Sequence, residues 1–334
     1  MQTETKYLVS SSPHVHSGAS VSSIMRDVLI ALIPALVAGY LRFGFDALRL
    51  TLWCVGGCLA GEYLCRRLMR RPNSLGDCSA AVTGLLLALN LPPGLPGWMA
   101  LTGSVFAIVV AKQIFGGLGY NPFNPALVAR AFLIVSFTQA MTTWTEWAPP
   151  FLDAATTATP LGMLKESLKE GGGAPFGMSR ALLGELFWGR SNGCVGETSA
   201  FALLLGAAYL LWRRVITWHI PVAYLGTVIL FAGLLRLVAP AGAMPVSVHL
   251  FSGGLMLGAW FMATDMTTSP VTRNGMLIFG AGCGLLTMII RIVPTGAYPE
   301  GVSFAILLMN AATPLINRAT RPRVFGARKP TAKP

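Results

Sequence analysis

Apolar residues run along this chain in long blocks, not in the period-two alternation of half-buried strands or the one-sided stripe of a surface helix. Reading each block between its polar, Gly or Pro breaks predicts ten spans, at about 24–41, 47–64, 78–91, 98–115, 124–141, 197–212, 217–237, 247–264, 275–293 and 300–316. A bilayer core of about 30 Å takes roughly 20 mostly apolar helical residues to cross, and most of the blocks come near that length. The third does not. It runs into "NLPPGLPG" (90–97), where Pro and Gly stop a helix, so it reads as a broken or partly inserted helix buried against its neighbours. The pattern predicts an all-α polytopic membrane protein with some helices broken.

The spans also divide into two sets. "GYNPFNPALVARAF" (119–132) opens the fifth and "GAYPEGVSFAILLMN" (296–310) opens the tenth, each with Gly, Tyr and Pro ahead of the helix. Five spans per half is an odd number, so a second half of the same plan would be inverted relative to the first. The expected organisation is a segment 1–23, a five-helix half 24–141, a polar loop 142–196, a second five-helix half 197–316 and a basic tail 317–334.

Composition strengthens the membrane reading. Hydrophobic residues make up 54% of the chain and charged ones 11%, against about 25% charged in an ordinary soluble domain. The formal net charge of +12 would suggest nucleic acid in a soluble protein. Here it falls unevenly between alternate joints, with sixteen Lys and Arg on the side of the N-terminus and eight on the other. That bias places both termini in the cytoplasm, a bilayer as the environment and no nucleic acid as partner. The opening "MQTETKYLVSSSPHVHSGAS" lacks the apolar core of a cleavable signal. The long loop 142–196 then lies outside.

Chemistry-bearing motifs are sparse. No phosphate-binding G-x-x-x-x-G-K-[ST] loop, dinucleotide G-x-G-x-x-G, H-E-x-x-H or ferredoxin cysteine run occurs. His14 and His16 read as a solvated tail. Of the six cysteines, Cys54 and Cys58 share a helix face and read as small apolar packers sooner than metal ligands. Two polar clusters at inner span ends remain, "GGLGYNPFNP" (116–125) and "ATDMTTSPVTRNG" (263–275). Their Asn121, Asn124, Asp265, Thr267, Thr268 and Ser269 suit hydrogen bonding to a flat heterocycle or an ion, and suit turns and caps equally well. On the outer side, Glu197, Thr198 and Ser199 open a helix, as a site wall or as an ordinary cap. Among the acids near spans (Asp27, Glu62, Asp77, Glu197, Asp265 and Glu300), Glu62 reads as the deepest, with Arg66 at i+4 as its expected partner. The outer loop carries "DAATTATPLG" (153–162), whose Thr156, Thr157 and Thr159 read on their own as turn formers.

Six segments taken together resemble a known family: "SPHVHSGASVSSIMRDVLIALIPA" (12–35), "FGGLGYNPFNPALVARAFLIVSF" (115–137), "ATTATPLGML" (155–164), "GCVGETSAFALLLG" (193–206), "TDMTTSPVTRNG" (264–275) and "YPEGVSFAILLMN" (298–310). They resemble, in the same order, the RnfD family, membrane components of the Rnf complex. That complex is an ion-translocating ferredoxin:NAD oxidoreductase, and RnfD is related to NqrB of the sodium-pumping NADH:quinone reductase. The resemblance implies FMN held covalently as a phosphoester on Thr159, with Thr157 standing where the commonest form of the motif has Gly. It implies a second, noncovalent riboflavin or FMN towards the inner side, and electron relay between ferredoxin and NAD coupled to Na+ or H+ movement. The implied partners are the other membrane subunits, including a second covalent-FMN subunit, iron–sulfur subunits and a peripheral NAD-reacting subunit, together with a flavin transferase that reaches the outer loop. The implied location is a bacterial inner membrane. The architecture alone leaves a different class open, a solute transporter or channel of urea-transporter-like inverted-repeat plan.

Overall fold

The computed structural model describes residues 20–144, 180–188, 193–238, 244–292 and 301–322, with the single residue 162. Thirteen α-helices and no strand occur among the described residues: α1 (Val21–Phe43), α2 (Phe45–Leu68), α3 (Ser79–Leu89), α4 (Gly97–Ile108), α5 (Pro125–Ser136), α6 (Thr138–Thr142), α7 (Arg180–Trp188), α8 (Ala200–Trp212), α9 (His219–Val238), α10 (Val246–Phe251), the single turn α11 (Leu255–Leu257), α12 (Arg273–Ile292) and α13 (Val302–Ala319). Tyr298, Glu300, His14, His16 and the threonines of "DAATTATPLG" lie outside the described residues.

Four helices, α1, α9, α12 and α13, are both long and apolar enough to cross a membrane. α2 is as long but carries charge at both ends, from Asp46 and Arg49 to Glu62, Arg66 and Arg67. The remaining helices are short or interrupted, as the pattern of the third span predicts. At about 1.5 Å per residue, the 11 residues of α3 reach about half of a 30 Å core. The helix stops at Asn90, and the chain turns through Pro92 and Pro93 into α4. The eighth predicted span is broken too: α10 ends at Ser252, Gly253 and Gly254 take positive φ, and α11 resumes the helix. Both α4 and α11 run on into π turns, Val109–Gln113 and Gly258–Met262, closed by Ile114 N–H to Val109 O and Ala263 N–H to Gly258 O.

Local chemistry explains where helices start. Ser20 and Ser23 form a reciprocal capping box ahead of α1. Asn124 Oδ1 accepts from the N–H groups of Ala126 and Leu127 while Pro125 takes the first helical position of α5. Two further starts share one design: "GDCSA" (76–80) and "GETSA" (196–200) each end a one-turn 3-10 helix in an acid and place a Ser at the head of α3 or α8.

Those two units run antiparallel. Ser22 Oγ on the first turn of α1 donates to Gly76 O, whereas Gly39, late in α1, meets Val195. The α3 start therefore lies at the end of the bundle where α1 begins, termed the near end, and the α8 start lies at the far end. The fifth and tenth predicted spans, α5 and α13, likewise start at opposite ends. α13 finishes at the near end, where Thr320 meets Thr272.

Small residues set the closest helix contacts, as expected where lipid provides no drive to pack apolar surfaces. A methyl group on Gly206 of α8 would collide with Ala31 O of α1, and one on Gly284 of α12 would stand 2.8 Å from Tyr224 O of α9. Across the second contact Tyr224 and Thr287 share a buried 2.7 Å hydrogen bond, so neither hydroxyl is stranded in apolar surroundings.

Candidate functional site

Both inner-side clusters of the sequence converge at the near end on one cavity of about 110 Å³. Asn121, Asn124, Asp265 and Thr267 line it, joined by Ser79 and Lys112. Its apolar walls include Met25, Val28, Leu86, Leu118 and Phe261. The broken segments bring these groups together: Lys112 comes from the π turn that ends α4, and Phe261 from the π turn that follows α11. π turns are rare and concentrate at functional sites because they set a side chain off the regular helical register.

The polar edge is internally braced. Asn121 Nδ2 donates to Thr267 Oγ1 at 3.2 Å and to Phe123 O at 3.0 Å. Asp265 accepts from Thr267 N–H at 3.3 Å, Thr267 Oγ1 at 3.0 Å and Thr268 Oγ1 at 3.3 Å. Burial pushes the Asp265 carboxyl above its ordinary range, against the pull of those hydrogen bonds and of the Lys112 charge. Asn121 Oδ1, in contrast, is buried without a partner among the described residues. Thr268 supports the cavity from behind, bonding Asp265 and receiving Thr313 Oγ1 on its carbonyl. Ser269 does not line the cavity, and its N–H closes the turn onto Asp265 O.

Behind the cavity wall lies a buried ion pair. Lys112 Nζ donates to Glu62 Oε2 at 2.7 Å and to Ser79 Oγ at 2.6 Å, with side chains 1% and 0% exposed for Lys112 and Glu62. Glu62 Oε1 accepts from Ser74 Oγ, and Ser79 Oγ donates to Asp77 Oδ1. This corrects one expectation. Glu62 pairs with Lys112 and not with Arg66, because α2 turns Glu62 towards α4 while Arg66 lies near Gly117 in the loop beyond. Lys112, late in the predicted span 98–115, is its buried partner. The sequence does hold a signal for it, a lone Lys late in an apolar run, where an unpaired ammonium is costly.

Glu197, Thr198 and Ser199 lie at the far end, away from this cavity. Ser199 Oγ caps α8 by accepting from Ala202 N–H, and Thr198 Oγ1 donates to Val195 O. Glu197 sits against Gly193 and Gly254, where a methyl group would stand 2.6 Å and 3.0 Å from its carboxylate oxygens. Around it, buried arginines serve the two helix breaks. Arg130 donates to Asn90 Oδ1 at 2.5 Å and to Cys194 Sγ at 3.4 Å. Arg291, within the predicted span 275–293, is 1% exposed and donates to His249 O, Ser252 O and Gly253 O. Carbonyls freed by a broken helix at membrane depth need such donors. Of the remaining acids, Asp27 accepts from Tyr209 Oη and Arg213 between α1 and α8, and Asp77 caps α3 through Ser79 N–H. Cys54 and Cys58 are buried between α2 and α4.

The residues on either side of 145–179 place both flanks of that segment at the far end: α6 follows the end of α5 directly, and Phe187 of α7 packs edge-on against Phe251 of α10. Thr159 itself is outside the described residues.

Comparison with known proteins agrees over nearly the whole length. The model of the NQR2, RnfD, RnfE family matches residues 8–326. The chain is 50% identical over 329 residues to the D subunit of the Na(+)-translocating ferredoxin:NAD(+) oxidoreductase complex of Acetobacterium woodii, covering 98% of this chain and 97% of that protein. It is 45% identical over 327 residues to the D subunit of the proton-translocating ferredoxin:NAD(+) oxidoreductase complex of Clostridium ljungdahlii, covering 97% of each. It is 40% identical over 337 residues to the D subunit of the ion-translocating oxidoreductase complex of Halorhodospira halophila, covering 94% of each. With a family match and such identity along its whole membrane domain, the chain belongs to the NQR2, RnfD, RnfE family.

Proposed function

We propose that this protein is the RnfD component of an ion-translocating ferredoxin:NAD oxidoreductase complex, holding one flavin covalently on Thr159 and a second, noncovalent flavin in the near-end cavity. The observation that carries the membership is the 50% identity over 98% of the chain to a relative named as such a component. Identity to relatives named as oxidoreductase subunits favours this reading over a solute transporter or channel.

The lining of the near-end cavity matches a flavin ring system in its chemistry. An isoalloxazine has an apolar dimethylbenzene end and a pyrimidine end rich in donors and acceptors. The cavity opposes an apolar wall (Met25, Val28, Leu86 and Phe261) to a polar edge (Asn121, Asn124, Asp265 and Thr267). The unpartnered Asn121 Oδ1 is a buried acceptor suited to a ring N–H. Bound there, the flavin supplies reversible one- and two-electron transfer, while the protein sets its position and electrostatics.

The basic residues of the near end (Arg66, Arg67, Arg70, Arg71, Arg213, Arg214, Arg273, Arg318 and Arg321) make that end cytoplasmic by the positive-inside rule. Thr159 is then outside, within reach of a flavin transferase and of the other subunits of the complex, including a second covalent-FMN subunit, iron–sulfur subunits and the NAD-reacting subunit. A threonine hydroxyl is a weak nucleophile, which calls for that enzyme.

The test is a denaturing gel of the purified complex, co-expressed with its transferase and read by flavin fluorescence. A fluorescent band for this protein that Thr159→Ala abolishes is expected, and a band that survives the substitution overturns the attachment site. Acid extraction then reads the noncovalent flavin, which Asn121→Ala with Asp265→Ala should remove while leaving the covalent band.

A further inference from the structure

Lys112 has two faces. On one it is locked into a buried ion pair with Glu62. On the other it lines the near-end cavity, as does Ser79, the second acceptor of its ammonium. Its charge also reaches Asp265 on another wall of the cavity. One buried cation thus stands between the cavity's contents and a fully buried carboxylate. It does so from a π turn, where the helix has already given up its regular register.

Charge balance makes this arrangement consequential. A buried carboxylate that loses its counter-charge is strongly disfavoured at low local dielectric. We propose that Lys112 is a shared counter-charge, held by Glu62 while the cavity's occupant is neutral and drawn to the occupant when that is reduced, so that Glu62 takes up one compensating cation from the near end in each redox cycle. The proposal rests on the near-end cavity being a flavin site.

The step balances. Two electrons, delivered by an iron–sulfur or flavin carrier of the complex, and one proton from solvent enter the cavity, which gains one negative charge. The Lys112 ammonium shifts from Glu62 Oε2 towards that charge, and one monovalent cation or proton replaces it at Glu62, beside Ser74 Oγ and Ser79 Oγ. Oxidation returns the electrons and proton, Lys112 re-forms its pair, and the cation leaves. The charged and titratable groups that face Glu62 are Lys112 on the π turn after α4 and Cys58 and Cys65 on α2 itself, with Asp77 beyond Ser79.

Lys112 is a positioning residue in this scheme, and its test reads more than activity. The whole complex is purified as wild type, as Glu62→Gln and as the neutral pair Glu62→Gln with Lys112→Met, which avoids leaving an uncompensated buried carboxylate. Noncovalent flavin is quantified first by acid extraction. Its midpoint potential is then measured against Na+ concentration at fixed pH and against pH at fixed Na+. If the cation is Na+, the wild-type potential rises by about 30 mV per tenfold increase in Na+. If it is a proton, the pH slope exceeds that of the flavin's own proton by about 30 mV per unit, one cation per electron pair in either case. Both variants lose this dependence, and the redox-difference infrared spectrum loses its carboxylate band. Variants that retain their flavin and the full cation dependence overturn the role of Lys112 and Glu62 while leaving the cavity a flavin site. A wild-type complex that yields no noncovalent flavin overturns the site and the proposal together.

Discussion

At the residue scale, the near end concentrates charge where charge is most costly, and each case has an identifiable compensation. Glu62 and Lys112 are compensated by each other and by Ser74 and Ser79. Lys112→Met alone strands the carboxylate and should cost about 3–5 kcal/mol, seen as a lower unfolding temperature in detergent. Adding Glu62→Gln should recover most of that loss, and a double variant no more stable than the single would mean the pair is not coupled. Asp265 works in the opposite sense. Its carboxyl is pushed up by burial, so the fold prefers the protonated form, and the stabilisation it gives is complete below the ordinary carboxylate pKa and lost as pH rises through the raised one. Asp265→Asn should therefore remove the loss of stability that accompanies rising pH above the ordinary carboxylate range, read as a flatter pH dependence of the melting temperature, while retaining less noncovalent flavin. The sequence made Asp265, Asn121 and Asn124 legible because polar residues clustered at span ends stand out. Ser79 escaped because it has an ordinary reading when only chain neighbours are considered, and the signal of Lys112, a lone charge late in an apolar run, does not name its partner.

Elements in this protein are shaped by breaks as much as by helices. α3 and α10 end inside the bundle: beyond α3, Asn90 O accepts from Cys194 Sγ and Leu91 O from Val195 N–H, and at the second break Arg291 of α12 donates to three freed carbonyls. Replacing Arg291 with Leu removes three such donations at once, and loss of folded protein on size exclusion is expected. An intact elution profile would show that water or the backbone can substitute. Between helices, glycine sets the spacing. Gly206→Ala puts a methyl group against the Ala31 carbonyl, a backbone atom that cannot rotate away, so α1 and α8 must separate at a cost of about 1–3 kcal/mol, measurable as a fall in melting temperature. The break at "NLPPGLPG" is legible from Pro and Gly alone. The second break is harder to see, since "HLFSGGLMLG" (249–258) carries no Pro, and Gly in a membrane helix more often marks a close contact.

For the whole molecule, the antiparallel pair of "G-acid-x-S-A" units and the opposed starts of α5 and α13 give the bundle two unlike ends, one with the cavity and the clustered arginines, one with the residues that flank 145–179. Introduced cysteines at Arg321 and Thr143, exposed at the near and far ends, should separate under a membrane-impermeant maleimide: in intact cells Thr143→Cys is labelled and Arg321→Cys is not, and the reverse pattern would invert the proposed orientation. The class of the fold, the number of apolar blocks, the broken third helix and the polar character of both inner clusters follow from sequence alone, because each depends on residues adjacent in the chain: hydropathy over about 20 positions, or Pro and Gly at one turn. Which polar residues meet could only be decided by packing. Glu62 and Lys112 are 50 residues apart, and Asn121 and Thr267 are 146; separations of that size carry no local signal. They are brought within hydrogen-bond distance because helices that stop or widen partway through the bundle leave a polar space that residues from several segments must close together.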